Sequence, residues 1–153
     1  MLQRSQSLFL LIAFVFSLML LTGPLAIIPA EGGEIVLKHS GVFDNDGNDL
    51  GVATWPLTIF FVLVTALAFF NIFFYRHRVR QMRICVYMII LNVGMVGIIF
   101  YYIRYAMNQF DGIQNILQWR IVIPPIVAIL LYLAYRRIQR DELLVKSYDR
   151  IRK

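Results

Sequence analysis

The sequence predicts an all-α membrane protein, a bundle of four transmembrane helices. A short β-hairpin-like loop is expected on the extracytoplasmic side and a helix at the cytoplasmic C-terminus. Apolar residues make up 59% of the 153-residue chain and charged residues 16%, against roughly 45–50% and 25% in soluble domains. Four long apolar stretches alternate with connections that carry the charges. Together these observations predict a single membrane domain over residues 1–153.

The four predicted spans cover residues 8–28, 56–75, 84–103 and 116–135, with an outer loop at 29–54 and a tail at 136–153. A helix of about 20 residues crosses a hydrocarbon core of roughly 30 Å. The first three stretches contain no Asp, Glu, Lys or Arg. Because backbone groups in lipid must be satisfied internally, each stretch is expected to be an α-helix.

The first stretch has an alternative interpretation as a cleavable signal peptide. It is longer than the usual apolar region of about 7–15 residues, and Ile28-Pro29-Ala30 is a poor cleavage site. We therefore expect it to be retained as a span. Gly23-Pro24 is expected to kink or end this helix near the outer face.

The outer loop contains two short segments of strand character, Glu34–Lys38 and Leu50–Thr54. They flank a polar segment, Asp44–Asp49, whose Asp, Asn and Gly residues favour turns. This pattern predicts a β-hairpin.

The same turn provides a weak metal-site candidate formed by Asp44, Asp46 and Asp49. Spaced carboxylates around a glycine are typical of Ca²⁺ loops. The glycine position and the lack of a following Glu do not fit the EF-hand pattern, so an ordinary solvated turn is favoured. No cofactor is predicted, and His39 and His77 are interpreted as ordinary loop histidines.

The fourth span is the weakest of the four. Ile121–Tyr135 is too short on its own, and extending it back to Ile116 includes the polar Gln118 and Arg120. Pro124-Pro125 then falls in the first or second turn, where proline kinks a helix. A kinked or tilted span is expected.

The basic residues predict the orientation. Twelve of the 15 Lys and Arg residues lie in the N-terminal tail, the second connection and the C-terminal tail. The positive-inside rule then places both termini and the second connection in the cytoplasm. Trp55 and Trp119 are expected to be interfacial anchors on the outer side, where Tyr101, Tyr102 and Tyr105 also fall. The net charge of +6 is interpreted as membrane anchoring and not as nucleic-acid binding.

The charged tail is predicted to be helical, either continuing the fourth helix or lying on the inner leaflet. Its plain interpretation is anchoring to anionic headgroups. Its mixed charges also suit docking of a membrane or cytoplasmic protein partner. The candidate docking residues are Arg140, Asp141, Glu142, Lys146, Asp149 and Arg150.

Few polar residues occur within the spans. Asn71 and Asn92 are expected to serve helix packing, and a direct bond between them requires stagger or tilt. Cys85 is the only cysteine. It is interpreted as a small apolar residue near the interface, with S-acylation as the alternative.

Three segments resemble a known family. The opening residues 1–8 (M-L-Q-R-S-Q-S-L) resemble M-I-Q-R-I-Q-T-L, and Thr54-Trp55-Pro56-Leu57 precedes the second span in both. The tail at 136–152 is similar to an ending K-D-E-A-L-V-R-S-x-D-R-L-R, with Leu143 in place of Ala and Tyr148 in place of a small residue. These segments resemble a Bacteroidetes-type family of small four-pass membrane proteins, catalogued as a domain of unknown function. The resemblance implies an inner-membrane four-helix protein and no particular activity.

The motifs provide little support for an enzyme. We find no HExxH, paired Cys, Gly-rich phosphate loop or G-x-S-x-G pattern. The lack of ionisable residues within the first three spans disfavours a proton-coupled transporter. The expected function is a non-enzymatic accessory or scaffold subunit. The alternative is an oligomeric small transporter, channel or lipid-handling protein.

Overall fold

The computed structural model describes residues 3–30, 33–74, 77–110 and 116–151, with side chains for 7–30, 33–74, 77–110 and 116–144. Its α-helices are α1 (Gln3–Met19), α2 (Trp55–Phe73), α3 (Arg78–Gln109) and α4 (Ile123–Ile151). Its strands are β1 (Ala26–Ala30), β2 (Gly33–Lys38), β3 (Gly41–Phe43) and β4 (Ile116–Leu117). The strands form one antiparallel sheet in the order β3-β2-β1-β4.

Three helices among the described residues are long and apolar enough to cross a membrane. They lie within Trp55–Phe73, Arg78–Gln109 and Trp119–Leu144, and a shorter apolar helix covers Ser7–Thr22. The mostly helical architecture is therefore confirmed, and three of its helices have the length and apolar composition of membrane spans.

Each helix buries one stripe of residues spaced alternately three and four apart, the spacing at which helices of a left-handed bundle pack. On α3 the stripe runs from Gln81 to Ala106, and on α4 it runs from Val127 to Asp141. The buried residues described are Leu10, Ala13 and Ser17 on α1, Leu20 directly after it, and Leu57, Phe61, Val64, Thr65, Ala68 and Asn71 on α2. The four stripes therefore face one another in a common core.

Three contacts define how the helices align. Asn71 on α2 lies against Cys85 on α3, Arg78 on α3 contacts Asp141 on α4, and the rings of Phe14 and Phe69 lie 5.5 Å apart. Counting along the stripes from these contacts gives layers about 5 Å apart. One layer contains Leu10, Asn71, Cys85 and Ala134; the next contains Ala13, Ala68, Met88 and Leu131; the third contains Ser17, Val64, Asn92 and Val127.

The two ends of the bundle differ. The sheet lies where α1 ends and where α2 and α4 begin, and we call this the sheet end. At the opposite end, α3 begins and the second half of α4 packs beside it. We call it the basic end because it carries Arg78, Arg80, Arg83, Arg136, Arg137 and Arg140.

The first apolar stretch does not form one span from 8 to 28. The helix ends at Met19, followed by a 3₁₀ turn at Leu20–Thr22, and Ala26–Ala30 is strand β1. Gly23-Pro24 therefore ends the helix, one of the two predicted outcomes. Ile27 and Ile28 are β-branched and pair with Val36 and Ile35 of β2, which extends the chain beyond the break.

The outer hairpin differs from the predicted one. Glu34–Lys38 is a strand as expected, but its neighbours are β1 and β3 and not Leu50–Thr54. The β2–β3 connection is a two-residue turn at His39-Ser40. After β3, only an isolated bridge joins Phe43 and Asp49.

The last two helices are longer than predicted. α3 begins six residues before the predicted boundary at Ile84 and continues to Gln109. Its arginine-rich first turns are therefore part of the helix. Ile116–Leu117 is strand β4, and Pro124-Pro125 occupies the first turn of α4, where proline is tolerated. The prolines therefore begin the helix and do not lie in its interior, the predicted kink or tilt of the span stays a prediction, and the tail continues α4 without a break to Ile151.

Candidate functional site

The most polar part of the buried core lies near the basic end. Asn71 and Cys85 are fully buried and Gln81 is 1% exposed. The Asn71 Nδ2 donates to the Cys85 Sγ at 3.2 Å, and the Gln81 Nε2 donates to the Asn71 backbone carbonyl at 3.2 Å. We call Asn71, Arg78, Gln81, Cys85 and Asp141 the basic-end polar cluster.

Helix ends explain part of this arrangement. The backbone carbonyls in the last turn of an α-helix have no N–H group of the same helix to accept from. The Asn71 carbonyl is one of these in α2, and it accepts both the backbone N–H of Phe74 and the Gln81 side chain. Gln81 therefore closes the end of α2 from the first turns of α3.

Several buried side-chain atoms have no hydrogen-bond partner among the described residues. The Asn71 Oδ1 and the Gln81 Oε1 belong to the cluster, and the Thr65 Oγ1 and the Asn92 Oδ1 lie deeper in the bundle. The Asn92 Nδ2 donates to the backbone carbonyl of Met88 at 2.8 Å and not to Asn71. An unpaired buried polar group costs about 1–3 kcal/mol, so these oxygens are the least satisfied part of the core.

The rim of the cluster is charged. The Arg78 Nη1 donates to the backbone carbonyl of Asp141 at 3.3 Å. Asp141 is 8% exposed and occupies the buried stripe of α4, whereas Arg140 is exposed and Glu142 is half-buried. The side chains of Lys146, Asp149 and Arg150 lie outside the described ones. Of the predicted docking residues, Asp141 therefore faces the bundle and Arg140 faces outward.

The thiol of Cys85 faces the bundle interior. S-acylation attaches a long acyl chain to a thiol, and the fully buried Cys85 leaves no space for a group of that size while the helices are packed. Cys85 is instead a buried hydrogen-bond acceptor for Asn71.

The three candidate metal ligands form a tight turn at the sheet end. The Asp44 carboxylate accepts the backbone N–H of Asn45 at 2.7 Å, and the Asp49 carboxylate accepts that of Gly51 at 3.0 Å. Gly47 has a φ of 78°, which glycine adopts without strain. Among the described residues, no group of three His, Cys, Asp or Glu side chains is placed to hold a metal ion.

The aromatic residues at the sheet end divide into two groups. Trp55 and Trp119 are 66% and 53% exposed, and the Arg120 guanidinium lies 4.9 Å from the Trp119 ring. Tyr102 is buried, and its hydroxyl donates to the Ala53 carbonyl at 3.1 Å. Tyr102 therefore joins α3 to the start of α2 and does not face outward with Tyr101 and Tyr105.

His39 joins the sheet to the bundle. Its ring stacks on the ring of Phe61 of α2, with 6.3 Å between the two ring centroids. Its backbone carbonyl accepts hydrogen bonds from the hydroxyls of Thr54 at 3.0 Å and Thr58 at 2.6 Å. Burial, and to a smaller extent the neighbouring Lys38, lowers the pKa of His39. The sequence showed a loop histidine, whereas the structure places it at a junction.

Sequence reasoning identified Asn71 and Cys85 as single residues but missed Gln81 and the inward position of Asp141. Both fall on the three-and-four spacing of their helices, at 81-85-88-92 and 131-134-138-141. That spacing was readable, but which helices meet at those positions was not.

The comparisons with known proteins give a family and no activity. None of the curated proteins matches the chain. A family model described as a domain of unknown function, DUF4293, matches residues 2–151, which confirms the resemblance to a family of unknown function, and the chain belongs to that family.

Proposed function

We propose that this protein crosses a bacterial inner membrane four times with both termini in the cytoplasm. In this proposal it is a non-enzymatic accessory or scaffold subunit that docks a partner protein through the end of α4. The observation that carries the proposal is the length of α4, which runs ten residues beyond Asp141, about 15 Å.

The outward faces of the helices support the membrane part of the proposal. Large apolar side chains cover the outside of the bundle, while amides and a carboxylate lie inside it. This distribution suits lipid as the surrounding solvent, because lipid favours apolar surfaces and penalises unpaired polar ones. Examples along the helices and the turn before α4 are Ile59, Phe70, Ile90, Val93, Val122 and Ile129.

The short helix α1 supports the fourth span. It packs between α2 and α4, and Leu8, Leu11 and Val15 face outward. The 16 residues of Ser7–Thr22 extend about 24 Å. A bilayer adapts to a span of this length by local thinning, at a modest cost.

The docking part of the proposal depends on how far each helix reaches at the basic end. Counting residues along the buried stripes places Gln3 of α1 and Arg78 of α3 at the same height along the bundle axis as Asp141 of α4. Helix α2 ends before this height. Only α4 continues beyond it among the described residues, starting with the exposed Leu143. The stripe spacing continues in the sequence at Val145 and Tyr148, which favours a protein surface over a purely basic lipid anchor.

Partner purification in mild detergent tests the docking. The full chain is compared with a chain ending at Leu144, because removing more would delete Ile138 and Asp141 from the packed core. A charge reversal in the tail, Lys146→Glu with Arg150→Glu, is matched by Glu34→Lys at the sheet end. We expect the same partners with the full chain and with Glu34→Lys, and their loss with the other two variants. Equal recovery from all four proteins would refute docking through α4.

Cysteine accessibility tests the orientation. In a Cys85→Ala background, Asn45→Cys at the sheet end and Arg80→Cys at the basic end are labelled with an impermeant thiol reagent in intact cells and in opened membranes. We expect Asn45→Cys to react in intact cells and Arg80→Cys only after opening. Labelling of both variants from the same side would overturn the proposed orientation.

The unpaired polar atoms inside the bundle favour a second candidate function, an oligomeric small transporter, channel or lipid-handling protein. Polar groups at the level of Asn92 are typical of helices that contact a polar solute. Flux of small solutes and lipids into liposomes containing the protein discriminates between the two functions. Flux above that of protein-free liposomes, reduced by Asn92→Leu, would support the second candidate.

A further inference from the structure

We propose that the basic-end polar cluster binds water and opens to solvent at the basic end, so that water reaches the thiol of Cys85 inside the bundle. This proposal is independent of partner docking. It follows from the unpaired atoms, the available hydrogen-bonding groups and the asymmetry of the neighbouring layers.

The unpaired atoms establish the need for a ligand. Asn71 and Gln81 are at least 99% buried, and the side-chain oxygen of each lacks a partner among the described residues. Exchanging the oxygen and nitrogen of either amide still leaves one end of that amide unpaired, because each amide uses a single bond here. A ligand that both donates and accepts hydrogen bonds satisfies either arrangement, and water is the smallest such ligand.

The cluster has the chemistry of a hydrated site. A buried water typically makes about three hydrogen bonds to groups that would otherwise be unpaired, whereas apolar voids remain dry. The Gln81 side chain donates to the backbone carbonyl of Asn71, and the side-chain amide of Asn71 donates to the Cys85 sulfur. Two unpaired oxygens and a thiol therefore lie in one connected group and provide the partners that water needs.

The neighbouring layers determine where the site opens. Towards the sheet end, the next layer consists of Ala13, Ala68, Met88 and Leu131, all apolar and fully buried. Towards the basic end, the next layer contains Gln81 and the fully buried Ile138, and beyond it lie the half-buried Arg78 and the backbone of Asp141, which contact each other. Water therefore finds polar groups, Gln81 and Arg78, on the side of the basic end and only apolar side chains in the layer beyond Cys85.

The native thiol reports on this water directly. Cys85 lies seven residues into α3, about 10 Å from its start. A thiol reacts with a methanethiosulfonate as its thiolate, which needs a polar surrounding to form. The experiment measures the rate at which 2-aminoethyl methanethiosulfonate modifies the full chain in lipid nanodiscs, by intact-protein mass.

A matched pair of variants separates hydration from steric access. Asn71→Ala and Asn71→Ser shorten the side chain almost equally, but only the second keeps a hydrogen-bonding oxygen. We expect Asn71→Ala to slow modification of Cys85 about tenfold, because loss of the polar partner dries the site and suppresses the thiolate. We expect Asn71→Ser to retain most of the rate. Gln81→Leu provides a second test at another position, should an Asn71 variant fail to fold by circular dichroism.

The control thiol lies at the same depth on the outside of the helix. Val86 is exposed and adjacent to Cys85, so Cys85→Ala with Val86→Cys gives an outward-facing thiol. Its modification rate is expected to be unchanged by Asn71→Ala. Equal slowing at both positions, no slowing at Cys85, or faster modification with both Asn71 variants would overturn the proposal.

Discussion

The two ends of the bundle are closed in different ways. At the sheet end, four strands cover the core, and Thr54, Thr58 and Tyr102 each donate to a backbone carbonyl across elements. At the basic end, the cover consists of helix ends. Both ends have unpaired buried atoms, the His39 Nδ1 and the Arg120 Nε at the sheet end and the side-chain oxygens of Asn71 and Gln81 at the basic end. The difference in cover predicts that substitutions at the sheet end destabilise the fold more than substitutions at the basic end. Four predictions test this comparison, in order of expected effect on the free energy of unfolding.

The largest effect is expected from Phe61→Ala at the sheet end. Phe61 is 1% exposed and contacts the His39 ring, and deleting a buried Phe side chain typically costs about 3–5 kcal/mol. Phe70→Ala is the control because Phe70 is on the same helix but 58% exposed. Unfolding in detergent with increasing SDS measures both variants. Equal losses would mean that the junction adds nothing beyond general apolar contact.

A smaller loss is expected when the hydroxyls that bind the His39 carbonyl are removed. Thr54→Val and Thr58→Val keep the side-chain shape but delete the donors. Each typical hydrogen bond contributes about 0.5–1.5 kcal/mol. The double variant is expected to cost more than the sum of the single ones, because each single variant leaves the shared carbonyl with one hydroxyl donor and only the double variant removes both. A double-mutant cycle by SDS unfolding checks this, and strict additivity would contradict the shared acceptor.

A pH dependence is expected from His39. Its pKa is lowered in the folded state by burial and then by Lys38, so the unfolded chain binds a proton more readily. The contribution of His39 to stability is complete above the unfolded pKa of about 6.5. It is lost as the pH falls from there through the folded pKa. His39→Phe should flatten this part of the profile, and an unchanged slope between variant and native protein would exclude His39 as its source.

The smallest effect is expected at the basic end. Asn71→Leu replaces a buried amide, whose bond within the protein goes to the weakly accepting Cys85 sulfur, with an apolar group of similar shape, so little hydrogen bonding is lost. The expected change is within about 1 kcal/mol, measured in the same SDS titration. A loss as large as that of Phe61→Ala would reverse the comparison between the two ends.

The sequence was sufficient for the helices but not for their ends or partners. Long apolar runs identify spans reliably, yet an apolar run is equally compatible with a buried strand. Because of this ambiguity, strand β1 could not be distinguished from the end of the first predicted span, residues 8–28. β4 has only two residues, Ile116 and Leu117, and exists because β1 offers it an edge. Pairing of this kind depends on tertiary structure and leaves no local signal.

The polar cluster shows the same limit. Asn71, Gln81, Cys85 and Asp141 are spread over three helices, and their proximity depends on the alignment of neighbouring stripes. Gln81 and Asp141 looked like ordinary polar residues outside the apolar runs. The longer α3 and the uninterrupted α4 bring them into the core, because both helices continue beyond the predicted boundaries.

The continuity of α4 gives the molecule a mechanical property. This helix has 29 residues and is about 43 Å long, with both prolines in its first turn. Only Gln118 and the 3₁₀ turn at Trp119–Val122 separate it from β4, which is hydrogen-bonded to β1. Any displacement of the tail is therefore transmitted along one unbroken helix to the sheet, so α4 connects the basic end to the sheet end.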